Sequence, residues 1–145
     1  MPQMPPLSDE GLKEMLSQPL VGKLATQSPK GELRISPMWF MAKDDGSIMM
    51  NTWEDTGPVR NLKRNPKCSL LIDTTEFPYT GVHYWGTATI EGPENDVGGM
   101  AKMFAPYRDG EEAATEYAKQ LIGWGKRVYI RFTPARKTTW DFRQG

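Results

Sequence analysis

The sequence predicts a mainly β, α+β fold: a small antiparallel barrel with helices covering its ends. Three observations lead there. Residues 21–53 alternate strand signals with two turn motifs, and residues 67–92 hold an apolar run and a longer one rich in β-branched and aromatic side chains. Helical patterns are short insertions between them. At 145 residues the chain has the length of one domain, taken as 1–145, and of one hydrophobic core.

The elements can be justified in chain order. Met1–Leu7 is Pro-rich and polar and is expected to be a mobile tail. Ser8 is an N-cap with Asp9 and Glu10 in the first turn, and Leu12, Met15 and Leu16 share a face, so a helix runs from about 9 to 17. VGKLATQ and ELRISPMWFMA form a hairpin around the turn Ser28-Pro29-Lys30-Gly31; Asp44-Asp45-Gly46 turns the chain again into SIMMNT. A basic helix over about 56–65 follows, stopped by Pro66. KCSLLIDT and GVHYWGTATIEG are strands. From Pro93 to about Trp124 the pattern is helical, broken at 106–110, with Ala114, Tyr117, Ala118 and Leu121 on one face. RVYIRFTP and KTTWDF read as two short strands around Pro134, giving about seven strands.

Within ELRISPMWFMA, alternation separates Arg34, Ser36, Met38 and Phe40 from Leu33, Ile35, Pro37, Trp39 and Met41. The second set is expected to face the core. Pro37 cannot donate to a ladder, so this strand is bulged or at an edge there, which frees backbone groups for a ligand.

Composition excludes several functions. Eighteen Lys and Arg balance eighteen Asp and Glu, so no net field favours nucleic acid or an anionic membrane. No stretch approaches the roughly 20 apolar residues of a membrane span, and the N-terminus lacks the apolar run of a signal peptide. A cytoplasmic protein is expected. His83 and Cys68 are the single histidine and cysteine, on separate strands, which leaves His/Cys metal sites and nucleophile–base pairs without material. The pairs Asp44/Asp45 and Glu111/Glu112 stand in a turn and at a helix start, where solvation and the helix dipole account for them. If the chain is an enzyme, a cofactor carries the difficult chemistry. Trp39, Trp53, Trp85, Trp124 and Trp140 offer stacking walls for a planar one.

Taken together, GKLATQSPKGELRISPMWF, SIMMNT, RNLKRNP, CSLLID, HYWGTATIEG and TPARKTTWDF, in that order, resemble the pyridoxamine 5'-phosphate oxidase-like superfamily of flavin-binding split β-barrels, and most closely its short flavin/deazaflavin oxidoreductase branch. The resemblance implies a six-stranded antiparallel split β-barrel with peripheral helices. It also implies a homodimer with two interface cofactor sites, FMN or deazaflavin F-420 as cofactor, and hydride transfer with a small-molecule substrate. By the same resemblance Arg34, Ser36, Pro37, Met38 and Trp39 run beside the ring and ribityl chain. Asn51 and Thr52 lie near the ribityl and phosphate groups, and Thr56, Gly57 and Pro58 form the phosphate clamp. Arg60 and Asn61 match the recurring Arg-Asn, and Trp140 reaches toward the partner's site. No catalytic residue is assigned.

One departure stands out. Many relatives carry Ser-Arg-Lys where this chain has Thr56-Gly57-Pro58, so two cationic phosphate ligands are missing, each worth roughly 1.5–3 kcal/mol. The helix N-terminal amides, the Thr56 hydroxyl, and Arg34 or Arg60 are the available replacements. A non-catalytic protein holding a flavin, haem or other planar ligand on the same barrel is the alternative reading.

Overall fold

The computed structural model describes residues 4–92 and 96–144; Met1–Gln3 of the expected tail and Pro93, the expected start of the later helical stretch, lie outside the described residues. In chain order the elements are α1 (Asp9–Leu16), β1 (Gly22–Gln27), β2 (Leu33–Met38), β3 (Phe40–Ala42), β4 (Ile48–Trp53), α2 (Gly57–Arg64), β5 (Lys67–Asp73), β6 (Thr80–Glu91), α3 (Val97–Phe104), α4 (Glu111–Gly123) and β7 (Arg127–Asp141), with a closing 3-10 turn at Phe142–Gln144. Ser8 caps α1 as its sequence requires, its hydroxyl accepting from the Gly11 amide.

All seven strands lie in one antiparallel sheet of order β2-β1-β5-β6-β7-β4-β3. Seven strands replace the expected six, and the sheet is an open, curled half-barrel. The reason lies in the segment 33–42. Its first part pairs with β1 and its second part with β4, with Trp39 between them, so one stretch of chain supplies both edges of the sheet.

A second correction concerns the C-terminus. The two short strands expected around Pro134 are one strand of fifteen residues. Pro134 is accommodated because the β6–β7 register shifts between Trp85 and Gly86, so that Gly86 faces Pro134 and Trp85 faces Arg136. Gly86 is required there, since a Cβ would lie 2.2 Å from the Thr133 carbonyl oxygen.

The face assignment of β2 is also reversed. Ser36, Met38 and Phe40 are buried, whereas Leu33 is 75% and Ile35 70% exposed. Both faces of this strand carry apolar side chains, so alternation separates the faces without saying which one the helices cover. As expected from Pro37, β2 is an edge strand.

Two hydrophobic clusters flank the sheet. One fills the curl with Leu24, Ile48, Met50, Leu70, Ile72, Val82, Ile130 and Phe132, closed by Met15 of α1 and by Val59 and Leu62 of α2. The other lies under the α3–α4 hairpin around Met49, Met100, Phe104 and Leu121. Leu7, expected in the mobile tail, is buried in the first cluster, and its amide donates to Thr139 Oγ1 at 3.0 Å. The Asp141 amide donates to the Pro5 carbonyl, so the two chain ends hold each other.

Asp141 accepts from Arg143 Nε at 2.8 Å, Arg143 Nη2 at 2.9 Å and the Arg143 amide at 3.0 Å. The Arg143 hydrogen bonds hold its carboxyl down to about 2, from an ordinary 3.8. A lowered carboxylate contributes stability above its unfolded value and loses it as pH falls through the folded one. Acid titration followed by circular dichroism is expected to show wild-type stability declining between 3.8 and about 2. Asp141→Asn is expected to be less stable at neutral pH and to lose that part of the slope.

Candidate functional site

The divergence of β2 from β4 opens a wedge in the sheet. Asn51, Thr52 and Trp53 pair with Tyr129, Val128 and Arg127 on one side and have no strand on the other, because β3 stops opposite Met50. The outer edge of β2 is likewise unpaired. Backbone polar groups on both walls are therefore free for a ligand.

α2 begins at this wedge. Its N-cap Thr56 makes no side-chain cap, because its hydroxyl donates instead to the Trp53 carbonyl at 3.2 Å. Pro58 occupies the first turn, where its missing N–H costs nothing. Arg34 reaches across from β2: a Cβ built on Gly57 would lie 2.8–2.9 Å from Arg34 Cζ, Nε and Nη1. The absence of a side chain at Gly57 thus lets a guanidinium lie directly on an uncapped helix start. A cation, uncapped first-turn amides and the positive end of the helix are an arrangement that can hold an anion, here called the cradle.

The other expected site residues divide into groups. Arg60 Nη1 pairs with Asp55 Oδ1 at 2.5 Å, both side chains largely exposed, so Arg60 is engaged beside the cradle. Asn61 points into the protein, donating to Thr26 Oγ1 at 3.0 Å and locking α2 to β1. Met38 is in the core, and Ser36 is buried beside it. Trp39 packs under the hairpin, stacked on Tyr107 at 4.5 Å and 12° and edge-on to Phe104 at 5.5 Å. Pro37 is exposed on β2. Trp140 covers Gly81 across the β6–β7 pair, where a Cβ would lie 2.3 Å from its ring. It stands far along the sheet from the wedge of its own chain.

Sequence reasoning missed Arg127. It is 4% exposed, its Nε donates to Asn51 Oδ1 at 2.8 Å, and its guanidinium lies 4.7 Å from the Trp53 ring centroid. Burial lowers its ordinarily high value to about 10. It therefore fixes Asn51 and Trp53, the β4 wall of the wedge. In RVYIRF the alternation separates Arg127, Tyr129 and Arg131 from Val128, Ile130 and Phe132, but only the α3–α4 cover shows that the polar face is enclosed.

His83 is remote from the wedge. Its ring lies 3.9 Å from Trp85, and desolvation, then Arg136, lowers its basicity. A cavity of about 1050 Å³ also lies elsewhere, between α1, the β3–β4 turn and the C-terminal half of β7. Among the described residues no group of three or more His, Cys, Asp or Glu side chains is placed to hold a metal, and no helix is long and apolar enough to cross a membrane.

Comparison with known proteins bears on this geometry. Residues 8–141 match the family model for pyridoxamine 5'-phosphate oxidase. The chain belongs to that family. Its fold is similar to that of a conserved hypothetical protein, Rv2991, from Mycobacterium tuberculosis, with a TM-score of 0.79 and 24% identity over 99% of this chain and 92% of that one. An F420 reductase aligns at 0.68 with 25% identity over 86% and 94%, and an FAD-binding protein from Mesorhizobium loti at 0.64 with 18% identity over 94% and 95%. Among proteins of curated function, no sequence matches this chain.

Asn61→Ala leaves the buried Thr26 hydroxyl without its partner, a loss of about 1–3 kcal/mol. Urea unfolding is expected to show a lower midpoint with an unchanged slope.

Proposed function

We propose that this member of the pyridoxamine 5'-phosphate oxidase family is an oxidoreductase that binds FMN, or the deazaflavin F-420, in the wedge between β2 and β4. The observation that carries the reading is Arg34 lying on the uncapped start of α2. The donor set there suits a phosphate, and it replaces the two basic ligands that Thr56-Gly57-Pro58 lacks. Arg34 and the Gly57 backbone would hold the phosphate, and the free edges of β2 and β4 would hold the ribityl chain and ring. The cofactor, when bound, supplies hydride transfer to or from a small organic substrate. The protein's own groups bind and orient: Arg127 holds Asn51, and Asn61 holds the helix.

Family membership and the similarity to an F420 reductase and an FAD-binding protein support a flavin-type ligand. A homodimer is part of the proposal. Leu33, Ile35 and Pro37 of β2 share one face of the sheet with Ala25, Leu71 and Trp85, and none of them enters either hydrophobic cluster. A second copy covering this face would bury it and bring Trp140, on the same face of β7, toward the partner's wedge. Non-catalytic binding of a planar ligand is the second reading, favoured by the position of His83 outside the wedge.

Absorbance and mass of the copurifying ligand, followed by titration with FMN and the deazaflavin, test the cofactor. Arg34→Gln is expected to weaken binding about 10- to 100-fold, corresponding to one charge-assisted contact of roughly 1.5–3 kcal/mol. Gly57→Ala, which displaces the guanidinium, is expected to act in the same direction. Wild type binding neither compound would sink the proposal. For the dimer, light scattering is expected to give twice the chain mass, with Ile35→Glu shifting it toward the single chain; a monomeric wild type counts against an interface site.

A further inference from the structure

We propose that the cleft between α1, the β3–β4 turn, α3 and the C-terminal half of β7 is a second binding site, for an organic anion with an apolar chain, of the fatty-carboxylate or alkyl-phosphate kind. The cavity of about 1050 Å³ is at the upper end of small-ligand pockets and shares no residue with the wedge at α2. Its floor is apolar, formed by Leu12 and Leu16 of α1, Phe40, Ile48 and Met103. Its rim is cationic. Lys13, Lys43, Lys102 and Lys137 converge from α1, the turn after β3, α3 and β7, and none has a carboxylate within ion-pair distance among the described residues.

The charge is local. The chain as a whole is neutral, yet this lining holds the four lysines against the three carboxylates Asp9, Asp44 and Asp45; of the two arginines beside them, Arg131 is paired with Glu91 at 3.0 Å and the Arg136 guanidinium lies 4.3 Å from the Trp85 ring centroid. Asp45 is occupied: it accepts from the Ser47 hydroxyl at 2.6 Å and the Ser47 amide at 2.9 Å, and lies 3.9 Å from Arg131. An adjoining cavity of about 580 Å³ shares Lys43, Lys102 and Arg131, so these cations stand where the two spaces meet.

An anionic head with an apolar tail satisfies both parts of such a cleft. The tail removes floor side chains from water, and the head relieves the mutual repulsion of the lysines while their flexible stems close over it. A small anion gains no floor contact, and a neutral amphiphile gains nothing from the rim. Selectivity for the combination is therefore the signature of the site.

Calorimetric titration of the full chain with decanoate, decyl phosphate, decyl glucoside and inorganic phosphate reads this directly. The expected result is that decanoate or decyl phosphate binds at least tenfold tighter than either decyl glucoside or inorganic phosphate. The double substitution Lys43→Glu/Lys102→Glu is expected to weaken that binding at least tenfold, and Arg34→Gln to leave it unchanged. If the charge-reversed chain does not fold, Lys43→Gln/Lys102→Gln, which removes charge without adding any, is expected to weaken binding by a smaller factor in the same direction. Equal binding of decyl glucoside, equal binding of inorganic phosphate, no binding of either amphiphilic anion, or indifference to both lysine pairs overturns the proposal. The Arg34 cradle also suits a phosphate, so each titration is run on Arg34→Gln as well as on the wild type: binding lost with Arg34 belongs to the cradle, binding kept belongs to this cleft, and the comparison with inorganic phosphate is read on Arg34→Gln, which separates this outcome from the cofactor reading.

Discussion

Much of the architecture depends on how the chain passes Trp39. The segment 33–42 leaves β1 and joins β4, and the backbone groups released at that break must be satisfied inside the protein. Tyr107, between α3 and α4, does this: its hydroxyl accepts from the Phe40 amide at 3.2 Å and donates to the Leu20 carbonyl at 2.6 Å, while its ring stacks on Trp39. Burial raises the Tyr107 hydroxyl above its usual range. The hairpin of helices is thereby keyed to the point where the strand divides, and the wedge beside it follows.

That division also gives the two faces of the sheet different fates. Under the hairpin, the outer face of β3, β4 and the first half of β7 is covered, and Arg127 is enclosed with Asn51 and Trp53. Beyond it, the outer face of β2, β1, β5 and β6 has no helix, and its apolar residues stay partly or fully exposed. The wedge lies at the boundary. Around it stand the packed Asn51–Arg127–Trp53 wall on β4, the start of α2 and the open, apolar face of β2.

In the proposed anion site the cation comes from a neighbouring strand and not from the clamp itself. Thr56-Gly57-Pro58 contributes no cation, but Gly57 removes the Cβ that would hold Arg34 away, and Pro58 leaves the helix start unobstructed. In the proposed site, one guanidinium delivered from a neighbouring strand would share the anion with the helix-start amides, as a local basic residue would. Thr56 and Arg60, the other available replacements, are engaged by Trp53 and Asp55.

Element positions were largely legible in the sequence, because turn and cap chemistry is local: Ser8, Asp44-Asp45-Gly46, Pro66 and the break at 106–110 all mark boundaries near those observed. Pro37 correctly marked an edge strand. Family membership was legible from the order of short motifs. The exposure of Leu33 and Ile35, the unity of β7 through Pro134, and the docking of Leu7 were not, since each depends on what another part of the chain covers or tolerates. For the site, Arg34 and Gly57 were both named by resemblance, but their mutual contact, the inward hydrogen bond of Asn61 to Thr26 and the hold of Arg127 on Asn51 and Trp53 were not. By itself the sequence determined where strands, turns and helices form, through periodicity and backbone preference acting over a few residues. Tertiary structure decided which face is inside, where the sheet splits and which cation reaches the helix start, because those depend on packing between residues far apart in the chain.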